Sequence, residues 1–449
     1  MSTSPSSSSR ECGVAVLGFG TVGAGVVETL LHNGDLLAAR TGVRPVLRGI
    51  ADLDTTTDRH IPDLPAGLLT TDSPALLARP DVHIVVELIG GTGIARRLVE
   101  QALALGKPVV TANKKLLAEA GPELYALAEA NHTQLYFEAS VGGGIPILKA
   151  LREGLAANHI TSIYGILNGT CNYILTRMEQ EALPFATVLA SAQQLGYAEA
   201  EPSLDIDGLD TAHKAAVLAT LAYGAPAPLA QIPVQGIRDI SPLDIQSARS
   251  LGYRIKLLAI LRKGPRGIEA SVQPTLLPLD HTLAAVSGVF NAVQVEGDVV
   301  GTTLYYGRGA GRAATASAVC ADIADAALDL LAGAPRHPRS PAASAETPLP
   351  FAPPDLITAR HYLRFNLHDV PGSFARVAAC LANHDIGLES IIQNETPDDA
   401  PSAAPGYVPV SVTTQPAPAG ALDLALAEIG ATPDLVQPPI TRFRIEPLA

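Results

Sequence analysis

Between Gly196 and Lys214 the sequence GYAEAEPSLDIDGLDTAHK sets five carboxylates, Glu199, Glu201, Asp205, Asp207 and Asp210, ahead of a single lysine. Such an acidic run ordinarily forms a solvated face, yet it leads directly into AAVLATLAY, which is almost wholly apolar. Asp210 and Lys214 stand four apart and share one side of the helix that this stretch predicts. That side continues through Val217, Leu218 and Leu221, while Ala212, Ala215, Ala216 and Ala219 keep the rest small and apolar. A helix of this kind is buried, so its first turns point the pair inward. An exposed ion pair would contribute only a few tenths of a kcal/mol. A charged pair heading a buried helix instead walls a polar cavity, where a desolvated lysine is tuned toward proton transfer. Glu199, in the preceding loop, reaches the same cavity and suits an ammonium group. Asp207 is expected to cap the helix, and Glu201 reads as an ordinary surface charge.

The elements that position this pair begin with VAVLGFGTVGAGVVETLL, an apolar strand, a glycine turn and a helix. Gly18, Gly20 and Gly23 have the GxGxxG spacing. The first permits a tight turn, the second lets backbone approach a pyrophosphate, and the third lets helix and strand pack closely. Gly18, Phe19, Gly20, Thr21, Val22 and Gly23 therefore form a dinucleotide-binding loop, with the helix N-terminus facing phosphate. The next strand, VRPVLRGIAD, ends at Asp52 and Asp54, which favours a free ribose 2′-hydroxyl and hence NAD. Arg48 and Arg59 lie near enough in sequence to take a 2′-phosphate, so NADP stays open. A further strand at His83–Ile89, a helix and a strand at Lys107–Thr111 complete an alternation that implies a doubly wound parallel sheet. Thr92 and the ANKK loop follow strand ends, where such sheets bind ligands. Lys114 and Lys115 open a helix, where the dipole disfavours cations unless they solvate freely. Lys114 is the candidate at the junction of cofactor and substrate.

In LYFEASVGGGIPILK, Glu138 ends a strand and clustered glycines leave carbonyls free to converge. A carboxylate with such carbonyls suits a hard cation such as Na⁺ or K⁺, against the plain reading of a glycine turn.

These residues together carry a resemblance. AQQLGYAEAEPSLDIDGLDTAHK resembles the signature of homoserine dehydrogenases, A-x3-G-[YF]-[AT]-E followed by P-x2-D-x-x-G-x-D-x3-K, at every fixed position. GFGTVG, ELIGGT, VTANKKLLA, EASVGGGIPI, ILNGTCNYIL and GRGAGRAATASAV follow in the family order, so the resemblance covers about residues 11–330. It implies NAD(P)-dependent interconversion of L-homoserine and L-aspartate 4-semialdehyde, in the biosynthesis of threonine, methionine and isoleucine. It further implies Lys214 as proton donor and acceptor at the substrate oxygen, with Lys114 assisting. Glu199 and Asp210 would hold homoserine, and Asp205 would support the loop or the lysine. Gly196, Gly309 and Gly311 would lie beside the cofactor. Glu138 and the backbone at Val141, Gly143 and Ile145 would bind the monovalent cation. Leu53 stands about where some NADP-using relatives carry an arginine. An acyl-phosphate-forming semialdehyde oxidoreductase would need a catalytic Cys beside a His, and no such pair is evident. An amino acid sensor that kept the fold without catalysis is disfavoured by intact Lys114, Glu199, Asp210 and Lys214.

Residues 332–357 are rich in Pro, Ala and Ser and read as a linker. Beyond them HDVPGSFARVAACLANHDIGLESI resembles an ACT domain, and the order of elements is βαββαβ, ferredoxin-like. The resemblance implies an effector near Asp369–Gly372, with L-threonine as the candidate, or else a purely structural dimerisation module. The Pro/Ala-rich insert PDDAPSAAPG at 397–406 lengthens one hairpin. The expected plan is a disordered tail at 1–10, an NAD(P)-binding Rossmann domain at 11–137, and an α+β catalytic and dimerisation domain at 138–331. Its last part, from about 305, returns to the cofactor domain, and the linker then leads to an ACT domain at 358–449. The 449 residues carry a net charge of −13, with 4% aromatic residues and no Trp, which speaks against nucleic-acid or anionic-membrane partners. No apolar run spans a bilayer, and four scattered cysteines fit free thiols in a reducing cytoplasm. The ACT-bearing and glycine-rich surfaces suggest a homodimer or homotetramer.

Overall fold

The computed structural model describes residues 10–335, 349–393, 406–432 and 434–447. Residues 1–9 of the expected tail, 336–348 of the expected linker and 397–405 of the insert lie outside the described residues. The chain forms two compact units. One takes in Met1–Ile160, Ala216–Leu229 and Gly297–Leu349, the other Thr161–Ala215, Ala230–Glu296 and Pro350–Ala449.

In the first unit, β1 (Arg10–Leu17), β2 (Val43–Ala51), β3 (Leu69–Thr70), β4 (Ile84–Glu87), β5 (Val109–Thr111) and β6 (Leu135–Tyr136) alternate with helices. Their order in the sheet is β3-β2-β1-β4-β5-β6, all parallel. This is the doubly wound arrangement, whose switch point lies between β1 and β4. Apolar runs form its strands because helices cover both faces: Val14, Ala15, Val16 and Leu17 are fully buried. The helix Thr21–Thr41 packs against a late helix, Arg312–Ala332, and Val26, Val27 and Leu30 share one core with Ala316, Val319, Ile323 and Ala326. Close approach depends on a missing side chain, since a Cβ on Gly25 would meet Arg312 Cγ at 2.7 Å.

The second unit is built on a mixed sheet. β7 (Ile160–Ile166), β8 (Tyr253–Gly264), β9 (Gly267–Pro278) and β10 (Phe290–Gly297) come first, while β11 (Gly301–Arg308) belongs to the first unit. β12 (Thr358–His368), β13 (Leu388–Gln393), β14 (Tyr407–Thr414), β15 (Ala417–Pro418) and β16 (Val436–Ile445) follow. The order within this unit is β10-β7-β8-β9-β16-β12-β14-β13, and β15 pairs with β12. β16, β12, β14 and β13 are antiparallel to one another and carry the helices Ser373–Asn383 and Ala419–Gly430, a ferredoxin-like topology. β16 joins β9 in parallel through Arg444↔Thr275 and Ile445↔Leu276, so the C-terminal strands extend the sheet that β7 to β10 begin.

Two buried polar groupings fix that sheet. Asp244, in the first turn of the helix Pro242–Ser250, completes a capping box with Ser241 and accepts from Arg364 Nε at 2.6 Å and Tyr362 OH at 3.2 Å. At the β9–β16 seam, Arg444 pairs with Glu269 and Glu446, and Arg262 reaches Glu269 at 2.6 Å. Residues 350–352, inside the expected linker, are strand-like: Pro350 accepts from Ile268 N–H at 2.8 Å, and Ala352 N–H donates back to Ile268 at 2.8 Å. Among the described residues no helix is long and apolar enough to cross a membrane. All four cysteines are unpaired and buried.

Candidate active site

Lys214 is held in the second unit by one neighbour on its own helix and one from the segment that follows β7. Its ammonium donates to Asp210 Oδ2 at 2.7 Å and to the Leu167 carbonyl at 2.7 Å. Lys214 is 8% exposed and Asp210 7%. A charge so desolvated calls for a close counter-charge and hydrogen-bond acceptors, and this geometry supplies an acceptor for two of the three ammonium N–H groups, one of them the counter-charge. Asn168, just after β7, organises the group. Its Nδ2 donates to Asp210 Oδ2 at 2.9 Å and Asp205 Oδ1 at 2.8 Å, while its Oδ1 caps the helix Gly169–Glu181 by accepting from Cys171 N–H at 2.8 Å. Asp205 and Asp210 thus meet around an asparagine 37 and 42 residues earlier in the chain, and Lys214 joins the group through Asp210. The available signal for Asn168 was an Asn directly before a helix, which announces a cap but not a second role.

The loop before Asp205 is exposed. Gly196 takes φ +74° after the helix Phe185–Gln194, the left-handed C′ conformation that glycine favours. Thr170 Oγ1 donates to the Tyr197 carbonyl at 2.8 Å, tying the loop to the Asn168 turn. Glu199 is exposed, and its carbonyl accepts from Gln193 Nε2 at 3.0 Å. Asp207 is not the expected helix cap. Its carboxylate is drawn to Arg238, with Oδ2 to Nη2 at 3.1 Å, and the carbonyl of Gly208 takes the first helical N–H from Ala212 at 3.0 Å. A cation 31 residues downstream outcompeted the local cap.

In the first unit, Gly18 has φ +96°, and a Cβ there would sit 2.7 Å from the Leu88 carbonyl carbon. On Gly23 a Cβ would lie 2.0 Å from Gly18 O. Beside Gly20 nothing stands within 4 Å, leaving open the face where a pyrophosphate approaches. Thr21 and Val22 begin the helix. Asp52 accepts from Phe19 N–H at 2.5 Å and Asp54 N–H at 2.9 Å. Arg59 donates to Phe19 O at 2.8 Å and lies over its ring at 5.8 Å. Hydrogen bonds from Thr57, Thr56 and Arg59 hold the Asp54 carboxyl well below its ordinary range. Leu53 is 93% exposed. Arg48 does not join this group. A register shift between Val14 and Ala15 turns it to Glu11 at 2.7 Å and Asp81 at 3.8 Å, by the start of β1.

Glu87, a buried carboxylate ending β4, accepts from Ile89 N–H at 2.8 Å, Gly90 N–H at 2.9 Å and Thr111 Oγ1 at 2.6 Å. Asn113 caps the helix Lys114–Ala130 and donates to Gly91 O at 2.7 Å. These bonds join the loop carrying Thr92 to the turn carrying Lys114, which is half-buried; Lys115 is exposed and pairs with Glu119 at 3.8 Å. The sequence signal for Glu87 was a lone acid closing an apolar strand.

Glu138 lies just past β6 in a short turn, Glu138–Ser140, and is 3% exposed. Its carboxylate accepts from Leu148 N–H at 3.0 Å and Lys149 N–H at 2.7 Å, and its own N–H donates to Asp322 Oδ2 at 2.7 Å. Asp322 Oδ1 is buried with no hydrogen-bond partner. Burial pushes the Glu138 carboxyl up to about 7, and burial with the Glu138 charge pushes Asp322 up to about 8. Val141 and Ile145 are buried beside them. At Gly143, φ +55°, a Cβ would meet Gly309 O at 2.4 Å, and Gly144 N–H donates to Arg308 O at 3.1 Å. The two glycine-rich loops are therefore in contact, and Gly311, φ +117°, opens the helix Arg312–Ala332. On the C-terminal strands, Asp369 is exposed and Gly372, φ +93°, precedes the helix Ser373–Asn383.

The chain matches the family models described as the NAD binding domain of homoserine dehydrogenase, over residues 18–138, and homoserine dehydrogenase, over residues 146–324. It is 44% identical to the homoserine dehydrogenase of Neisseria gonorrhoeae, across 97% of this chain and 98% of that one. Against that of Pseudomonas aeruginosa the identity is 40%, across 97% and 99%. A solved homoserine dehydrogenase from Thiobacillus denitrificans superposes with a TM-score of 0.91 at 40% identity, covering 98% of this chain and 99% of that one. With the glycine loop on a parallel sheet and the buried Asp210–Lys214 pair in one chain, these likenesses assign it: the chain belongs to the homoserine dehydrogenase family.

Proposed function

We propose that Lys214 is the acid–base residue of an NAD(P)-dependent homoserine dehydrogenase, holding the proton exchanged at the substrate oxygen. The observation that carries this reading is its buried ammonium, bonded at 2.7 Å to both Asp210 and the Leu167 carbonyl. Bound NAD(P)H supplies a hydride to the aldehyde carbon, and the oxidised cofactor accepts it in reverse. As negative charge grows on the carbonyl oxygen, the ammonium of Lys214 stabilises it and gives up a proton. Asp210 holds the Lys214 side chain in place, and Asn168 keeps Asp210 aimed. Exposed Glu199 suits the substrate's ammonium group, Asp205 supports the loop through Asn168, and Lys114 assists at the oxygen. Gly18–Gly23, Thr92, Gly196, Gly309 and Gly311 make up the cofactor contacts in this reading. An archaeal homoserine dehydrogenase solved with NADPH, 29% identical, supports cofactor binding of this class.

Na⁺ or K⁺ is proposed at Glu138, with the backbone of Val141, Gly143 and Ile145. The residues fit such an ion, because two adjacent carboxyls are buried and one oxygen, Asp322 Oδ1, has no hydrogen-bond partner. A positive charge there would offset both and steady the loop against Gly309. The C-terminal module is proposed to be an ACT domain, a reading its ferredoxin-like topology supports, with L-threonine acting near Asp369 and Gly372.

Lys214→Met should lower kcat about 10²- to 10⁴-fold while dinucleotide affinity stays unchanged, measured by homoserine-dependent reduction of NAD⁺ and NADP⁺ and by fluorescence titration. Near-normal turnover would reject the assignment. Asn168→Ala removes charge-assisted bonds to both acids, so kcat/KM should fall roughly 10- to 100-fold. In the same assay L-threonine in the millimolar range should depress turnover of the unaltered enzyme; indifference would leave the module purely structural.

The cation makes a prediction against pH. Glu138 and Asp322 have raised folded pKa values, so the folded state binds more protons than the unfolded one above the ordinary carboxylate range. Their contribution to stability is therefore greatest at low pH and declines as pH rises through about 7 to 8. In choline chloride the melting temperature should carry this decline. NaCl or KCl at equal ionic strength should restore part of it near about pH 8.5 and none near about pH 5. Identical melting in all three salts at the higher pH would remove the ion.

A further inference from the structure

Three ligating side chains that play no part in the proposed reaction converge on the C-terminal module. Cys380 lies in the last turn of the helix Ser373–Asn383, and His384 follows that helix as its cap. Glu428 comes from the last turn of the neighbouring helix, Ala419–Gly430. One ligand atom from each, the Cys thiol sulfur, a His ring nitrogen and a Glu carboxylate oxygen, lies within 4.8 Å of the other two. His384 Nε2 and Glu428 Oε2 are 3.0 Å apart. Among the described residues this is the cluster of His, Cys, Asp or Glu with metal-ligand spacing.

The arrangement follows from local rules. Cys380 and His384 are four apart, so the end of one helix presents both on one side. The helix pair packs tightly there, with Cys380 Sγ 3.7 Å from the Ala425 carbonyl. Cys380 is buried, the His384 side chain is 24% exposed and that of Glu428 60%. The cluster is thus anchored in the helix interface on its sulfur side and open to solvent on its carboxylate side, which gives an ion an entry path and room for a water ligand.

We propose that Cys380, His384 and Glu428 bind a Zn²⁺-class divalent cation, with water as the fourth ligand. Thiolate, imidazole and carboxylate are together the donor set that zinc accepts in tetrahedral geometry, whereas Mg²⁺ and Ca²⁺ call for oxygen alone. Tetrahedral bonds of about 2.0–2.3 Å put neighbouring ligand atoms roughly 3.3–3.8 Å apart, within small side-chain adjustments of the present cluster. Without the ion, His384 Nε2 and Glu428 Oε2 are hydrogen-bonded, and burial pushes the Cys380 thiol up to about 11. On binding, the thiol S–H bond breaks, its proton goes to solvent, and the sulfur bonds to the metal; no electron is transferred. The ion would clamp the helices Ser373–Asn383 and Ala419–Gly430 together.

The test uses the full-length protein, reduced, stripped with chelator and titrated with Co²⁺. One equivalent should develop a thiolate-to-cobalt charge-transfer band in the near ultraviolet and tetrahedral ligand-field bands in the visible, all abolished by added Zn²⁺. Cys380→Ser should lose the charge-transfer band, while Cys12→Ser keeps it. Glu428→Gln, a change at an exposed position that leaves the fold in place, should weaken Co²⁺ binding roughly tenfold or more. Absence of the band at one equivalent, or its survival in Cys380→Ser, would overturn the proposal. The readout is spectroscopic, so it stands or fails apart from turnover.

Discussion

The second unit is organised around one costly object, an ammonium withdrawn from water. Nearly complete burial of Lys214 is tolerable because Asp210 and the Leu167 carbonyl each accept a hydrogen bond from it at 2.7 Å. That demand propagates outward. Asp210 must sit one turn before the lysine, so the helix must start at Leu209, and Gly208, φ +86°, makes the turn that starts it. The Leu167 carbonyl must face the same point, which sets where β7 ends. Asn168 then bonds both Asp205 and Asp210 and caps the next helix, so a single side chain couples three segments.

A second theme is the use of side-chain oxygens to capture backbone N–H groups at strand ends. Asp52 holds Phe19, Glu87 holds Ile89 and Gly90, Glu138 holds Leu148 and Lys149, and Asn113 holds Leu116. Each fixes a loop that follows a strand of the parallel sheet, where doubly wound folds bind their ligands. Loops carry unsatisfied donors by nature, and a fixed acceptor removes their freedom before any ligand arrives. Glycines do the complementary work, since Gly23 and Gly143 let backbone approach where a Cβ would collide with a carbonyl oxygen.

Much of this was legible in the sequence, and the reasons are physical. The strand–glycine–helix unit is local and periodic, so Gly18 to Gly23 announced themselves, and the Asp210–Lys214 spacing fixed its own geometry. What sequence concealed was non-local. Asp207 had every property of a cap, but Arg238 binds it from a distant segment. Arg48 belonged on paper with the cofactor loop, and one irregularity in the β1–β2 register sent it to Glu11 instead. Asn168 carried only a cap signal because its second role needs Asp205 and Asp210, which arrive 37 and 42 residues later.

The pairing of β9 with β16 was also invisible to local reading, and it bears on how the C-terminal module relates to the lysine site. β7, which delivers Leu167 and Asn168, lies two strands from β9, and β16 is the next strand. At about 4.8 Å per strand, roughly 14 Å of hydrogen-bonded sheet separates the module's edge from the strand that positions the site. Two arginines and two glutamates, Arg262, Arg444, Glu269 and Glu446, balance one another at that seam. A one-residue slip would reverse every side chain and separate those paired charges. The seam therefore does not slide. A displacement of the module transmits to β7 as movement of the sheet as a body or not at all, which restricts any control from the C-terminal strands to changes that the whole sheet shares.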